Sequence, residues 1–315
     1  ASVRALVTGG NGFVGRHLAA HLRARGDEVV VAGRTADLSD VDLPLELGDL
    51  ENVCGVVEFA RAAVVFHLAA QAFVPAATRD PLAAYDTNAL GTARLFEAVR
   101  GAYSHDALPL VVYASSGEVY GPREPHEYPV RETLAPRPAT PYAASKLAGE
   151  AMALAAWRTY GVPVVIARAF NHIGPGQDER FAAPAFARQL AHIAAGGEPT
   201  LLVGNLEAQR DFLDVRDVVA AYAAMADAAH AGEVYNVCSG RTTAMSELLR
   251  QLVTIAHVPV GIREDPARMR PSDLPVSYGD NEKLRVATGW TPTYTLMMSL
   301  RDVYADARAR EQVAT

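Results

Sequence analysis

"RALVTGGNGFVGRHLAAHLRARGDEVVVAGR", residues 4–34, reads as strand, turn, helix and strand in succession. "RALVTGG" is a short apolar strand, and "FVGRHLAAHLRARG" repeats apolar residues every three or four positions and meets Gly26 just past its end, as a helix does. "DEVVVAGR" is the next strand. Gly9, Gly10, Gly12 and Gly15 fill the turn between the first strand and the helix. Glycine there allows a tight turn, close backbone approach to a pyrophosphate and tight helix-sheet packing, and the helix N-terminus offers N–H groups to the anion. A plain glycine turn is the alternative, but strand, turn and helix in this order are the context that the dinucleotide motif requires.

The alternation continues outward from this unit. A short strand is expected at "LELGDL" (45–50), a helix after Asp49, a strand at "AAVVFHLAA" (62–70) and a long helix from about Pro81 to Arg100. The strand "LPLVVYASS" (108–116), a helix over Tyr142 to Tyr160 and the strand "PVVIARAF" (163–170) follow. Apolar strands alternating with helices predict an α/β fold, a doubly wound parallel sheet of Rossmann type covered on both faces. Residues 1–170 are expected to form this dinucleotide-binding domain. After Asn171 the rhythm breaks into loops and shorter elements, so 171–315 is read mainly as a smaller substrate-binding lobe, with some segments returning to the first domain.

The 315 residues are 50% hydrophobic and 21% charged, with apolar runs too short to span a bilayer. A net charge of −7 without a basic cluster argues against nucleic acid and anionic lipid as partners, leaving small molecules. Cys54 and Cys238 have no metal-type spacing and read as reduced core residues, and no targeting segment precedes the first strand, so a cytoplasmic address is expected. No metal is expected.

The second strand ends in Gly33 and Arg34, where an NAD-preferring protein would carry an acidic residue for the ribose hydroxyls. A guanidinium suits a 2′-phosphate, so NADP(H) is favoured, with NAD(H) and a plain surface arginine as the alternative. Asp49 with Leu50 falls near the expected adenine position, and Leu68, Ala69 and Ala70 end the fourth strand beside the cofactor. Gly9, Gly12, Phe13, Val14 and Gly15 complete the expected cradle.

Only two lysines, Lys146 and Lys283, stand among twenty-seven arginines. Lys146 follows Tyr142 by four residues in a predicted helix, so both project from one face. A nearby ammonium favours the ionised form of a phenol, so the pair can shuttle a proton at a hydroxyl or carbonyl oxygen. "YASSGEVYG" (113–121) brings Ser115, Ser116 and Glu118 to the C-terminal edge of the sheet, where open α/β sheets bind ligands. A serine hydroxyl can bond the reacting oxygen, and Glu118 can act as a base or accept a sugar hydroxyl.

The glycine loop, "HLAAQ" (67–71), "TNALGT" (87–92), "SSGEVYG" (115–121) and "PYAASK" (141–146) together resemble the extended short-chain dehydrogenase/reductase superfamily, whose members mostly act on nucleotide sugars. "ARAFNHIGPGQ" (167–177), "VGNLEAQRDFLDVRDVV" (203–219), "GEVYNVCSG" (232–240), "MRPSDLPVSYGDNEKLR" (269–285) and "TGWTP" (288–292) resemble the GDP-6-deoxy-4-keto-D-mannose reductases, which make GDP-D-rhamnose. The resemblance implies Tyr142 as proton donor, Lys146 on the nicotinamide ribose, Ser116 on the sugar oxygen and Ser115 and His172 near the cofactor. It puts Gln71, Asn171 and Gln177 with Glu118 on the substrate side, and Arg210 and Arg270 on a GDP-sugar's diphosphate, a contact that suits arginine's planar fork.

Three other readings stay open. A 4,6-dehydratase would use Glu118 to remove the C5 proton, although Gly117 stands where dTDP-glucose enzymes carry an acid. A 4-epimerase shares the fold, and a non-catalytic dinucleotide sensor would not need Tyr142, Lys146 and Ser116 together. The helices "PLAAYDTNALGTARLFEAVR" (81–100) and "AASKLAGEAMALAAWRTY" (143–160) are expected to pair across a homodimer as a four-helix bundle; packing on the protein's own sheet is the alternative.

Overall fold

The computed structural model describes residues 2–34, 42–269 and 274–314, and Arg270 lies outside them. In chain order the first half runs β1 (Arg4–Thr8), α1 (Phe13–Ala24), β2 (Glu28–Gly33), β3 (Leu43–Pro44), α2 (Leu50–Ala60), β4 (Val64–His67), α3 (Val74–Arg79), α4 (Pro81–Tyr85), a π turn (Asp86–Leu90), α5 (Gly91–Ala102), β5 (Leu110–Ser116), α6 (Pro141–Tyr160) and β6 (Val164–Ala169). The second half runs β7 (Asn171–Ile173), α7 (Ala182–Ala194), β8 (Thr200–Val203), β9 (Gln209–Arg210), β10 (Phe212–Asp214), α8 (Val215–Ala228), β11 (Val234–Val237), β12 (Thr243–Ala244), α9 (Met245–Ala256), β13 (Gly261–Glu264), β14 (Val276–Ser277), α10 (Glu282–Thr288) and α11 (Leu296–Ala314).

Among the described residues seven parallel strands form one sheet in the order β11-β6-β5-β4-β1-β2-β3. The chain leaves β1 toward β2 and β3, then returns to lay β4, β5 and β6 on the other side. The order reverses at β1 and β4, and a crevice for a ligand opens at their C-terminal ends. One face of the sheet, with Leu6, Val65, Val111 and Ile166, packs on Val53, Val57, Leu95 and Val99 of α2 and α5. The opposite face, with Val7, Phe66, Val112 and Val165, packs on Leu18 and Leu22 of α1 and on Val218 and Tyr222 of α8. A third core gathers α7, α9 and α11 around Leu190, Leu201, Leu249 and Leu300.

The strand expected at "LELGDL" lies slightly earlier, at Leu43–Pro44. Asp49 draws its segment into a helix start instead, because its carboxylate accepts from the N–H groups of Glu51 (3.0 Å) and Asn52 (3.2 Å). The long helix expected from Pro81 is divided by the π turn, and α3 precedes it unannounced. Cys238 is buried as expected, but Cys54 is only half-buried on α2. β11 enters the sheet from the second half of the chain and pairs with β6. No helix among the described residues is long and apolar enough to cross a membrane.

Candidate active site

β1 delivers the glycine loop to the crevice. Gly9 has φ +69°, and a Cβ there would meet the Ala69 nitrogen at 2.8 Å. A Cβ on Gly15 would strike the Gly9 carbonyl oxygen and Gly10 Cα, so α1 can begin this close to the turn only with glycine. Gly12 caps α1 without a side-chain hydrogen bond, and no acidic residue stands in the first turn. The N–H groups of Phe13, Val14 and Gly15 therefore open toward the crevice as the first turn's unsatisfied donors, a donor set that fits the phosphate oxygens of a dinucleotide.

Leu68 to Ala70 are held beside this loop by a buried strut. Thr8 Oγ1 bonds His67 Nδ1 at 2.8 Å, His67 Nε2 bonds Thr92 Oγ1 at 3.1 Å, and the Ala69 N–H donates to Thr8 Oγ1 at 3.2 Å. Burial pushes the His67 pKa down to about 3, with the Lys146 charge acting the same way, so the ring works as a neutral spacer. Arg34 stands exposed directly after β2, while Asp49 is engaged as the α2 cap with exposed Leu50 beside it.

α6 carries Tyr142 and Lys146, the pair expected to be catalytic. Thr140 caps it by accepting from the Ala143 N–H (3.1 Å), and Pro141 sits at its first position, which places Tyr142 in the first turn. Tyr142 is buried, and burial together with the Glu118 charge raises its pKa, while a side-chain hydrogen bond with Ser116 acts in the opposite direction. Ser116 Oγ also accepts from the Glu118 N–H at 3.1 Å, which fixes the turn after β5. Lys146 Nζ donates to the Ala114 carbonyl at 2.7 Å. Burial lowers its pKa to about 8, opposed by the Glu150 charge. The lowering of the phenol's pKa expected from the ammonium is outweighed: desolvation and the Glu118 charge hold Tyr142 in the protonated form while Lys146 is bonded to β5.

Two positioning groups had not been anticipated. Asn88, in the π turn, accepts from the Gln71 N–H (2.7 Å) and donates to the Gln71 carbonyl (3.0 Å) and Ser145 Oγ (2.9 Å). Ser145 Oγ in turn donates to the Tyr142 carbonyl at 2.7 Å, so the π turn ties Gln71 to the start of α6. Asn88 lies inside "TNALGT", yet no periodicity announces a π turn. Glu150 follows Tyr142 and Lys146 on the same four-residue ladder, a signal that was legible. It accepts from Ser115 Oγ (2.5 Å), Arg168 Nε (2.9 Å) and Arg168 Nη2 (2.7 Å) in the interior. The Ser115 hydroxyl thus serves this ion pair.

β7 and the loop after it carry residues expected on the substrate side. Asn171 is exposed, and buried Gln177 donates through Nε2 to the His172 carbonyl at 3.0 Å. His172 Nδ1, Gln71 Oε1 and Gln177 Oε1 are buried with no hydrogen-bond partner among the described residues, the state of polar atoms that await a ligand or water. Burial lowers the His172 pKa to about 4, so the ring is neutral. Arg210 sits on β9 between Thr243 and Ser277, its Nη1 donating to the Gln209 carbonyl at 2.8 Å. The adjacent Asp211 accepts from Ser239 N and Oγ (both 2.7 Å), Gly240 N (3.0 Å) and Gly279 N (3.4 Å), and so knits the surrounding loops.

Residues 6–303 match the family model described as GDP-mannose 4,6 dehydratase. GDP-6-deoxy-D-mannose reductase of Pseudomonas aeruginosa is 41% identical over 98% of this chain and 99% of its own length. UDP-glucose 4-epimerase of Mycolicibacterium smegmatis is 33% identical over 93% of this chain and 95% of that protein. The solved structure of RMD from Pseudomonas aeruginosa complexed with NADPH superposes with a TM-score of 0.88 at 38% identity, covering 98% of this chain and 100% of the other. The UDP-glucose 4-epimerase of Thermus thermophilus in complex with NAD gives 0.86 at 32% identity, covering 97% and 99%.

Proposed function

The chain belongs to the GDP-mannose 4,6-dehydratase family of extended short-chain dehydrogenase/reductases, and we propose that it is the 4-ketoreductase that converts GDP-4-keto-6-deoxy-D-mannose to GDP-D-rhamnose with NADPH. The observation that carries this reading is Tyr142, a phenol held protonated by burial beside Ser116 at the C-terminal edge of the sheet. NADPH supplies the hydride when bound. Tyr142 gives its proton to the C4 oxygen as the carbonyl carbon is reduced, and the Ser116 hydroxyl bonds the same oxygen. Lys146 holds the ribose and lends positive charge to the phenolate that remains. Arg210 holds the diphosphate, so binding far from the reacting carbon orients the ketone. Asn171 and Gln177 line the sugar side, with His172 toward the nicotinamide.

The direct test follows nicotinamide absorbance after purified protein is mixed with NADPH and the keto sugar, with the product identified by chromatography. Oxidation of NADPH with formation of GDP-D-rhamnose is expected. Because the Lys146 pKa lies at about 8, its charge is lost as pH rises through that value, and kcat/KM is expected to fall there. A profile that stays flat well above that pH would remove Lys146 from the support of the donor. The charge of Glu118 acts on Tyr142, which favours 4,6-dehydration as the second reading. No turnover of the ketone, with loss of water from GDP-mannose, would establish it in place of the reductase.

We also propose a homodimer in a cytoplasmic setting. Leu82 on α4 is 76% exposed and Leu90 at the end of the π turn is 47% exposed, apolar groups that a helix from a second copy would cover. The free thiols of Cys54 and Cys238 suit a reducing compartment. Leu90→Arg is expected to shift the protein from dimer to monomer in light scattering, with its circular dichroism unchanged. A monomeric wild type, or a variant that stays dimeric, would overturn the interface.

A further inference from the structure

Two glycines from distant segments close on one aromatic ring. A Cβ on Gly117 would meet Phe170 Cδ2, Cε2 and Cζ at 2.9, 2.8 and 2.8 Å, and a Cβ on Gly279 would meet Phe170 Cζ and Cε2 at 2.7 and 2.8 Å. Carbon atoms in a packed interior do not approach so closely, so the edge of this ring fits only between two glycines. Neither glycine lies in the left-handed region, so it is the space and not the backbone conformation that calls for them. The ring has little room to yield. Phe170 is buried in a cluster with Val119, Val130 and Cys238, and its N–H donates to the Val237 carbonyl at 3.0 Å.

The two glycines belong to opposite ends of the site. Gly117 directly follows Ser116 and opens the turn Gly117–Tyr120, which folds over the ring: Tyr120, at its end, stacks on Phe170 with ring centres 6.3 Å apart and planes at 27°. Gly279 follows β14, where Ser277 pairs with Arg210, and its N–H donates to the Asp211 carboxylate at 3.4 Å. The ring therefore separates the turn behind Ser116 from the segment that holds β9. We propose that Phe170 is a positioning residue that sets the spacing between the reacting end of the site, at Ser116, and its diphosphate end, at Arg210. An apolar ring donates and accepts nothing, so it acts through the two segments it keeps apart. The inference rests on the roles given above to Ser116 and Arg210.

Steady-state kinetics with the keto sugar test it, alongside NADPH affinity by calorimetry and urea midpoints to separate loss of rate from loss of fold. Gly117→Ala drives a methyl group between the ring and Ser116 and is expected to lower kcat by about 10–10²-fold, the scale of a small misplacement, with NADPH affinity unchanged. Gly279→Ala presses on the ring from the diphosphate side and is expected to raise KM more than it lowers kcat. Leucine ends short of the ring atoms that the new methyl groups meet, so adding Phe170→Leu to either variant is expected to restore most of what was lost. Phe170→Leu alone, which only removes volume, is expected to lower kcat in a folded protein. Unchanged kcat in that variant would make the ring a core residue only and overturn the proposal, as would a loss in Gly117→Ala that Phe170→Leu does not relieve. If the wild type removes water from GDP-mannose and leaves the ketone alone, the same pattern is read on that reaction, and the reductase reading fails while the spacing stands. A wild type that turns over neither compound overturns both.

Discussion

Tyr142→Phe should reduce kcat for the keto sugar by about 10²–10⁴-fold, the contribution of a positioned general acid, while NADPH binds nearly as before. The substitution removes one oxygen from a buried ring that packs with Ala77, Ala84 and Val74, so the surrounding packing persists. What disappears is the group proposed to protonate the alkoxide. Ser116 can share a hydrogen bond with the same oxygen, but an aliphatic hydroxyl is far too weak an acid to replace the phenol. Lys146 is engaged with β5 through the Ala114 carbonyl 2.7 Å away. Stopped-flow measurement of NADPH oxidation separates the chemical step from product release. A Phe variant with wild-type single-turnover rates would take proton donation away from Tyr142.

The second large effect is on stability. Glu150→Ala leaves Arg168 charged and buried, with its guanidinium 4.9 Å from the Tyr120 ring centre and its two carboxylate bonds gone. Breaking such a pair from one side costs about 3–5 kcal/mol, because the remaining charge keeps its desolvation penalty and loses its compensation. Urea denaturation should show that loss as a lower midpoint. The double variant Glu150→Ala with Arg168→Met should recover much of it, since replacing both members by apolar groups is far cheaper. A loss below about 1 kcal/mol for the single change would mean that the pair behaves like a surface contact. The same residue bears on catalysis: the Glu150 charge opposes the lowering of the Lys146 pKa by burial, so its removal should move the alkaline fall in kcat/KM to lower pH.

The glycine loop, the strands and the Tyr142–Lys146 helix were legible because each is a local pattern with one physical meaning. Periodicity also separates the two serines after Ala114. Adjacent strand residues point to opposite faces, so Ser115 and Ser116 take different side-chain partners, and the structure sends the Ser115 hydroxyl to Glu150. Asn88 was not legible, since the π turn that aims it is set by contacts with Gln71 and Ser145 from distant segments. The motifs that resembled the reductases proved to be partly architectural. In "TGWTP" the Trp290 indole donates to the Asp217 carbonyl at 3.0 Å, and the Asp217 carboxylate collects the N–H groups of Thr293 and Tyr294, which docks the chain onto α8. Lys283, the other lysine, pairs with Glu233 at 2.7 Å and fastens α10 beside β11.

The late arrival of β11 has a bearing on how the protein is made. On the ribosome the N-terminal six strands of the sheet emerge first, and β6 waits with a bare edge until Val234–Val237 has been synthesised. A nascent chain stalled in that interval, or a fragment cut after residue 170, presents an apolar parallel strand with unpaired backbone groups to any neighbour. The boundary between the two halves is therefore a poor place to divide the gene for expression. A tag or a permuted terminus belongs after β11, where the edge is already closed.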